Sequence, residues 1–401
     1  MTFILQVFYS IFSGLMLAAA IPNELYSFGC PVISFVAIIP FYISIRYLCK
    51  SYRQAFWSCF IQMITTHLVS SFWLAYFKDF AIFTLGGSAL ATGFIGGFMG
   101  LFLYLPFSRN NHLQLIDYTT YKPFYEHTSF RILYFSFIYT LYEWVKSSGF
   151  IGYPWGTVSS SMYNFPVFMQ LASITGTYGI TFLTVFFNCV IAEAALLYLK
   201  SINTSDKVSF FFELKNTAIV FSILFVLTLL YGYYELTLPR TPVKQITTVM
   251  VQQNSDPWKQ ATDDADLLKS QKLAEATVKK LEKDDKKAQL IVFSEGCMQR
   301  PLPSSYSHYK KHPSEESLIS FIKRMGIPLI SGGSLLEIIE PENDEEDETY
   351  KYYNSTHLFD KEGNYRGSYK KLHLVPFAEE IPGINNPKIK AIVKKVVGIS
   401  A

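Results

Sequence analysis

A polytopic α-helical membrane bundle followed by an α/β domain is the fold class that this sequence predicts. Three observations carry it. Long apolar runs recur up to about residue 240, basic charge alternates between the loops that join them, and from about residue 243 short strands alternate with polar helices. The domains are accordingly read as 1–240 and 241–401. With 401 residues, 50% of them hydrophobic and only 17% charged, the chain is too apolar for an ordinary soluble protein and too long for one domain.

Runs able to cross about 30 Å of hydrocarbon lie near 3–21, 31–49, 55–77, 81–107, 130–148, 167–199 and 216–238, which makes about seven spans. The first resembles a signal peptide through Leu15–Ala20, but no Lys or Arg precedes it and further spans follow, so an uncleaved span is expected. Arg46, Lys50 and Arg53 mark one connection, Arg109, Lys122 and Arg131 another, and Lys200, Lys207 and Lys215 a third. The intervening loops near 22–30, 78–80 and 149–166 carry Lys78 as their only basic residue. The positive-inside rule then sets the N-terminus in the cytoplasm and everything after Leu238 on the far side.

Within the bundle, small residues at Gly86-Gly87-Ser88 and Gly93–Gly100 favour close helix packing. Gly149–Gly156 breaks a helix where Tyr153 and Trp155 suit the headgroup level, giving either a lipid-facing loop near an active site or a plain interfacial anchor. Glu143 is costly in an apolar span unless paired, and Lys146 is an i,i+3 candidate.

The second domain reads as strand 245–253, helix 261–286, strand 289–294, helix 316–325, strand 328–331 and a hairpin of 351–359 with 363–369 around Asp360–Gly363. This β-α-β-α-β-β-β order implies an α/β layered domain with a mixed sheet. Leu267, Leu268, Leu273 and Leu281 supply the apolar stripe of its first helix. Residues 337–349 form an acidic, solvated loop. No basic cluster with interleaved aromatics stands outside the membrane half, so nucleic acid is not an expected partner. The five cysteines, Cys30, Cys49, Cys59, Cys189 and Cys297, are scattered and suggest core packing rather than disulfides or a CxxC metal site.

Candidate chemistry begins at Glu295, which closes the apolar run Leu290–Phe293, because ligands collect at the carboxyl ends of strands in open α/β sheets. A carboxylate partly desolvated there is a usable general base. Lys371, in Tyr369-Lys370-Lys371-Leu372-His373-Leu374-Val375-Pro376-Phe377-Ala378-Glu379, offers an ammonium that can stabilise an oxyanion.

These segments resemble the carbon-nitrogen hydrolase (nitrilase) superfamily, and more closely its membrane-bound branch, the apolipoprotein N-acyltransferases. Lys371, His373, Pro376, Phe377 and Glu379 fall in step with the family's Tyr-x-Lys-x-His-Leu-Val-Pro-Phe-Gly-Glu signature, with Ala378 in place of Gly. Phe293-Ser294-Glu295 stands where the family has Trp-Pro-Glu, Tyr353-Asn354-Ser355 matches its Tyr-Asn-Ser strand, and Gly149–Trp155 resembles its Gly-Phe-Pro-Trp loop. The resemblance covers nearly the whole chain.

It implies a nitrilase-like α-β-β-α sandwich outside the cytoplasm, with Glu295 as general base, Lys371 as oxyanion stabiliser and Glu379 in support. Tyr153, Trp155 and Phe377 would face lipid. The family's nucleophilic cysteine and final membrane helix belong beyond Ala401, so a C-terminally truncated form is expected. Cys297, two residues from Glu295, is in the wrong place for the triad. The implied reaction passes an acyl group from a phospholipid, through a thioester, to the amino group of a diacylglyceryl-cysteine apolipoprotein at the bacterial inner membrane. No cofactor or metal is implied. The alternatives are a membrane-tethered amidase and a non-catalytic membrane scaffold.

Overall fold

The computed structural model describes residues 2–108, 127–149, 152–204, 207–255, 263–339, 349–375, 386–388 and 391. They divide into two compact units, Met1–Pro239 and Arg240–Ala401.

Unit 1 is helical. Its elements are α1 (Thr2–Ala20), α2 (Pro31–Ala37), α3 (Ile39–Ile43), α4 (Tyr52–Ser70), α5 (Ser88–Tyr104), α6 (Thr128–Ser147), the short α7 (Pro166–Met169), α8 (Ala172–Thr204) and α9 (Lys207–Thr237). Among the described residues, five stretches are long and apolar enough to cross a membrane, namely Thr2–Ala20, Pro31–Leu48, Thr84–Phe107, Ala172–Leu199 and Leu214–Thr237. The runs expected near 55–77 and 130–148 are also helical, as α4 and α6. These two carry the polar load of Gln62, His67, Arg131, Glu143 and Lys146, all buried.

Outward positions such as Ile4, Phe98, Phe137 and Leu230 stay exposed, the reverse of a soluble bundle and the pattern expected against lipid. Helices meet where side chains are small: a Cβ added at Gly100 of α5 would stand 2.6 Å from the Ala55 carbonyl oxygen of α4. Several polar side chains inside the bundle are bonded to one another or to backbone. Ser10 Oγ lies 2.6 Å from Ser58 Oγ between α1 and α4, and Asn188 Oδ1 of α8 accepts from Ile38 N at 2.9 Å. Glu193, fully buried on α8, is held by Arg46 and by the Tyr42 hydroxyl, 2.6 Å from its Oε1. An acidic group at that depth is costly unless it is paired.

Unit 2 is α/β. Its elements are β1 (Thr248–Val251), α10 (Asp263–Lys283), β2 (Leu290–Phe293), β3 (Met298–Leu302), α11 (Tyr306–Tyr309), α12 (Leu318–Met325), β4 (Leu329–Ile339), β5 (Thr349–Phe359) and β6 (Tyr365–Lys370). The sheet runs β1-β2-β4-β5-β6, parallel through β4 and antiparallel beyond it, and β3 pairs with β4 where β2 stops. This is the mixed sheet expected.

β3 and α11 were not foreseen. Met298-Gln299-Arg300-Pro301-Leu302 has neither alternation nor an apolar run, and its strand character comes from pairing with Gly333 and Leu335 of β4. α12 starts at Ser317, whose Oγ accepts from Ser320 N at 3.2 Å, and stops at Gly326 in the left-handed region. Its Leu318, Ile319, Phe321 and Ile322 enter the core beside Phe293, Leu329 and Phe359. On α10 the stripe is Leu267, Ala274, Val278 and Leu281; Leu273, expected inside, is 41% exposed. Helical spacing from Leu267 reaches Ala274 and Val278 and carries Leu273 off the face.

Candidate active site

Parallel β1 and β2 end side by side, Val251 level with Phe293, so both carboxyl ends open on one edge. There Ser294 Oγ donates to Gln253 Oε1 at 2.6 Å, joining the two strand ends. Glu295 follows at once, and its backbone crosses β4 at Gly332, where an added Cβ would meet Glu295 Cα at 2.6 Å. A side chain at position 332 would drive the two chains apart, so glycine is what lets Glu295 sit over the middle of the sheet.

From β4 the register leads outward. Ser334 pairs with Asn354 and Ser355 with Lys370, and Lys371 N donates to the Asn354 carbonyl at 2.8 Å, prolonging the ladder one residue past β6. Three side chains therefore converge. Asn354 Nδ2 donates to Glu295 Oε1 at 2.6 Å, and Lys371 Nζ lies 3.4 Å from the same oxygen. Lys370 goes elsewhere: its Nζ pairs with Glu337 on β4 and stands 4.2 Å over the Tyr353 ring. That Glu337 contact raises the Lys370 pKa, and the Lys370 ammonium lowers that of Glu337.

Glu295 is 70% exposed and Lys371 32%. The desolvation expected of a strand-end carboxylate is thus not met for Glu295, whose contacts among the described residues include Asn354 and Lys371. In the sequence Asn354 stands only within the Tyr-Asn-Ser motif; its place beside Glu295 depends on the β4–β5 register. Cys297 is fully buried, with Sγ 3.4 Å from Ser270 Oγ of α10, among the core side chains. Phe377 and Glu379 lie outside the described residues, as do 340–348 of the acidic loop.

In unit 1, Tyr153 and Trp155 stand with ring centroids 5.1 Å apart, Tyr153 against His67 and Trp155 against Trp73, and Trp155 is 51% exposed. The segment is tied down from α6. Lys146 Nζ donates to the carbonyls of Trp155 and Gly156 at 3.1 and 3.3 Å, and Tyr153 N donates to the Lys146 carbonyl at 2.7 Å. Glu143 accepts from Val158 N at 2.7 Å and from the Thr181 hydroxyl at 2.6 Å. Glu143 and Lys146, expected to pair with each other, thus brace successive parts of the 153–158 segment.

Comparison with known proteins gives consistent matches. Residues 13–190 match the model of the apolipoprotein N-acyltransferase N-terminal domain, and residues 247–390 that of carbon-nitrogen hydrolase. The chain is similar to apolipoprotein N-acyltransferase 2 of Treponema denticola, 32% identical across 100% of this chain and 70% of the relative. It is 28% identical to apolipoprotein N-acyltransferase 2 of Treponema pallidum over 97% of the chain and 67% of the relative. Against the apolipoprotein N-acyltransferase of Borreliella burgdorferi identity is 27%, over 92% of the chain and 64% of the relative.

Proposed function

Since the chain belongs to the apolipoprotein N-acyltransferase family and is a multi-pass membrane protein, we propose that it transfers a fatty acyl group from a membrane phospholipid to the N-terminal amine of a diacylglyceryl-cysteine apolipoprotein. The observation that carries the reading is the convergence of Asn354 and Lys371 on Glu295 at the carboxyl end of β2.

In this reading Glu295 takes the proton of a cysteine thiol, whose sulfur attacks the phospholipid ester carbonyl. A C–S bond forms, and Lys371 faces the oxyanion of the tetrahedral intermediate. The C–O bond then breaks, and the leaving glycerol oxygen takes the proton back from Glu295. In the second half the acceptor amine attacks the thioester, a C–N bond forms, the C–S bond breaks and the amine proton passes through Glu295 to the thiolate. Asn354 keeps the Glu295 carboxylate turned toward Lys371, and Glu379 supports the pair.

The cysteine nucleophile in this reading is the one that the family resemblance implies. Cys297 is not assigned that role, because its sulfur is enclosed in the core of unit 2. Tyr153, Trp155 and Phe377 are assigned to the lipid-facing surface. The loop charges support a cytoplasmic N-terminus in the bacterial inner membrane and a second unit on the outer side, where both substrates present their headgroups.

The test is acylation of a diacylglyceryl lipopeptide by the intact protein in phospholipid vesicles, followed by mass spectrometry. N-acyl lipopeptide that disappears with Glu295→Gln and with Lys371→Ala supports the reading. Product formation indifferent to both substitutions overturns it, and so does hydrolysis of small amides without acyl transfer, which would indicate a tethered amidase.

A further inference from the structure

A second cluster of chemistry-bearing side chains lies in unit 2, built on elements other than those that hold Glu295. Asp264 stands in the first turn of α10, His308 on α11, and His312 one helical turn later, its N–H donating to the His308 carbonyl at 2.9 Å. The imidazoles are stacked, with centroids 4.2 Å apart and planes 4° from parallel. Both turn a nitrogen to one carboxylate: His312 Nδ1 is 3.0 Å from Asp264 Oδ2, and His308 Nε2 is 3.7 Å from Asp264 Oδ1. The candidate ligand atoms of the three side chains all lie within 4.8 Å of one another.

Two features separate this group from a chance surface ion pair. The first is a fixed backbone. Tyr309, between the two histidines, is fully buried, and its hydroxyl both donates to the Arg300 carbonyl at 2.9 Å and accepts from Arg300 N at 3.1 Å, clamping α11 to β3. The His312 carbonyl accepts from Leu318 N at 3.0 Å, fastening the turn to the start of α12. The second is Asp264 Oδ1, which is closed off from water and accepts no hydrogen bond among the described residues. Its 3.7 Å separation from His308 Nε2 is beyond hydrogen-bond range, yet suits two ligands of one ion.

We propose that Asp264, His308 and His312 form a binding site for a divalent transition cation of the zinc class. Two neutral imidazoles and one carboxylate suit zinc-like ions, whereas Mg²⁺ and Ca²⁺ take oxygen ligands. Ligand atoms about 2.0 to 2.2 Å from a tetrahedral zinc stand about 3.3 to 3.6 Å apart, between the two separations seen here. Each imidazole needs a rotation about its Cβ–Cγ bond to bring the ion into its ring plane, and that torsion is soft. The three protein ligands leave one position for water or a further donor. The ion would staple the start of α10 to the α11 turn and so anchor the far end of β3, the strand that begins three residues after Glu295.

The experiment is calorimetric titration of Zn²⁺ into the intact, untagged, chelator-stripped protein, with thermal unfolding and zinc-edge X-ray absorption alongside. The expected result is one Zn²⁺ per chain, a raised unfolding temperature and two imidazole scatterers in the absorption spectrum. Asp264→Asn, His308→Gln and His312→Gln should each weaken binding by at least about 100-fold, since even indirect partners of a metal cost 10- to 100-fold. Lys310→Ala, beside the cluster but pointing over the Tyr306 ring, should bind as the wild type does. Absence of stoichiometric binding in the wild type, equal binding by the three ligand variants, or a spectrum without imidazole overturns the proposal. None of these readouts depends on acyl transfer.

Discussion

Lys371 Nζ reaches to 3.4 Å from Glu295 Oε1 across 76 positions of sequence, while its neighbour Lys370 turns to Glu337. Successive residues of an extended strand point to opposite faces, so one lysine of the pair can serve Glu295 and the other cannot. Lys371→Ala is therefore expected to lower acyl transfer by about 100-fold or more, the scale of losing one oxyanion-stabilising donor. Lys370→Ala should stay within a few-fold of the wild type. Rates of lipopeptide acylation in vesicles distinguish the two, and equal losses would refute the assignment by strand face.

Asn354 holds the same carboxylate oxygen from β5. A hydrogen bond to a charged group contributes about 1.5 to 3 kcal/mol, and the 70% exposure of Glu295 favours the lower end. Asn354→Ala should then reduce turnover by about tenfold with little change in unfolding temperature, because it misdirects Glu295 without opening the core. Single-turnover acylation of the intact protein, beside a melting curve, measures both quantities.

Gly332 is a packing requirement of the site. An alanine Cβ there would stand 2.6 Å from Glu295 Cα and 2.8 Å from the Ser294 carbonyl oxygen, backbone atoms that cannot swing aside. Gly332→Ala should destabilise unit 2 by about 1 to 3 kcal/mol, the usual cost of overpacking, and lower activity as well. Denaturant titration gives the first effect; unchanged stability would mean that the strands can part without cost.

His357 gives the second unit a pH dependence. It is buried on β5, its Nδ1 hydrogen-bonded to Ser368 Oγ, and its pKa is pushed below 6.5, chiefly by burial. The unfolded chain, with a pKa near 6.5, takes up the proton first, so the contribution of His357 is complete above that value. It is lost as pH falls from there through the folded-state pKa. Melting temperatures between about pH 7.5 and about pH 5 should fall more steeply for the wild type than for His357→Gln. Parallel slopes would exclude His357 as a source.

Legibility followed the range of the interactions. Apolar runs long enough to span a bilayer, the change to strands near residue 243, and Glu295 and Lys371 as candidates could be read from neighbours in the chain. β3 could not: Met298–Leu302 has no strand pattern of its own and pairs only because the turn after β2 delivers it to β4. Leu273 lies off the buried face of α10, because leucine identity alone does not say which side of a helix packs. The desolvation expected for Glu295 failed for a related reason, since burial depends on what covers a strand end.

Local composition and periodicity thus settled the fold class, an apolar helical bundle and then a mixed α/β sheet, because lipid length and strand alternation act over a few to about twenty residues. The partners of each charge were decided only when the chain closed on itself. Register across β4, β5 and β6 chose Lys371 over Lys370 and brought Asn354 to Glu295, and the clamp of Tyr309 on β3 set two histidines beside Asp264. Such meetings depend on hydrogen-bonded pairing between residues distant in sequence, and no local pattern encodes that distance.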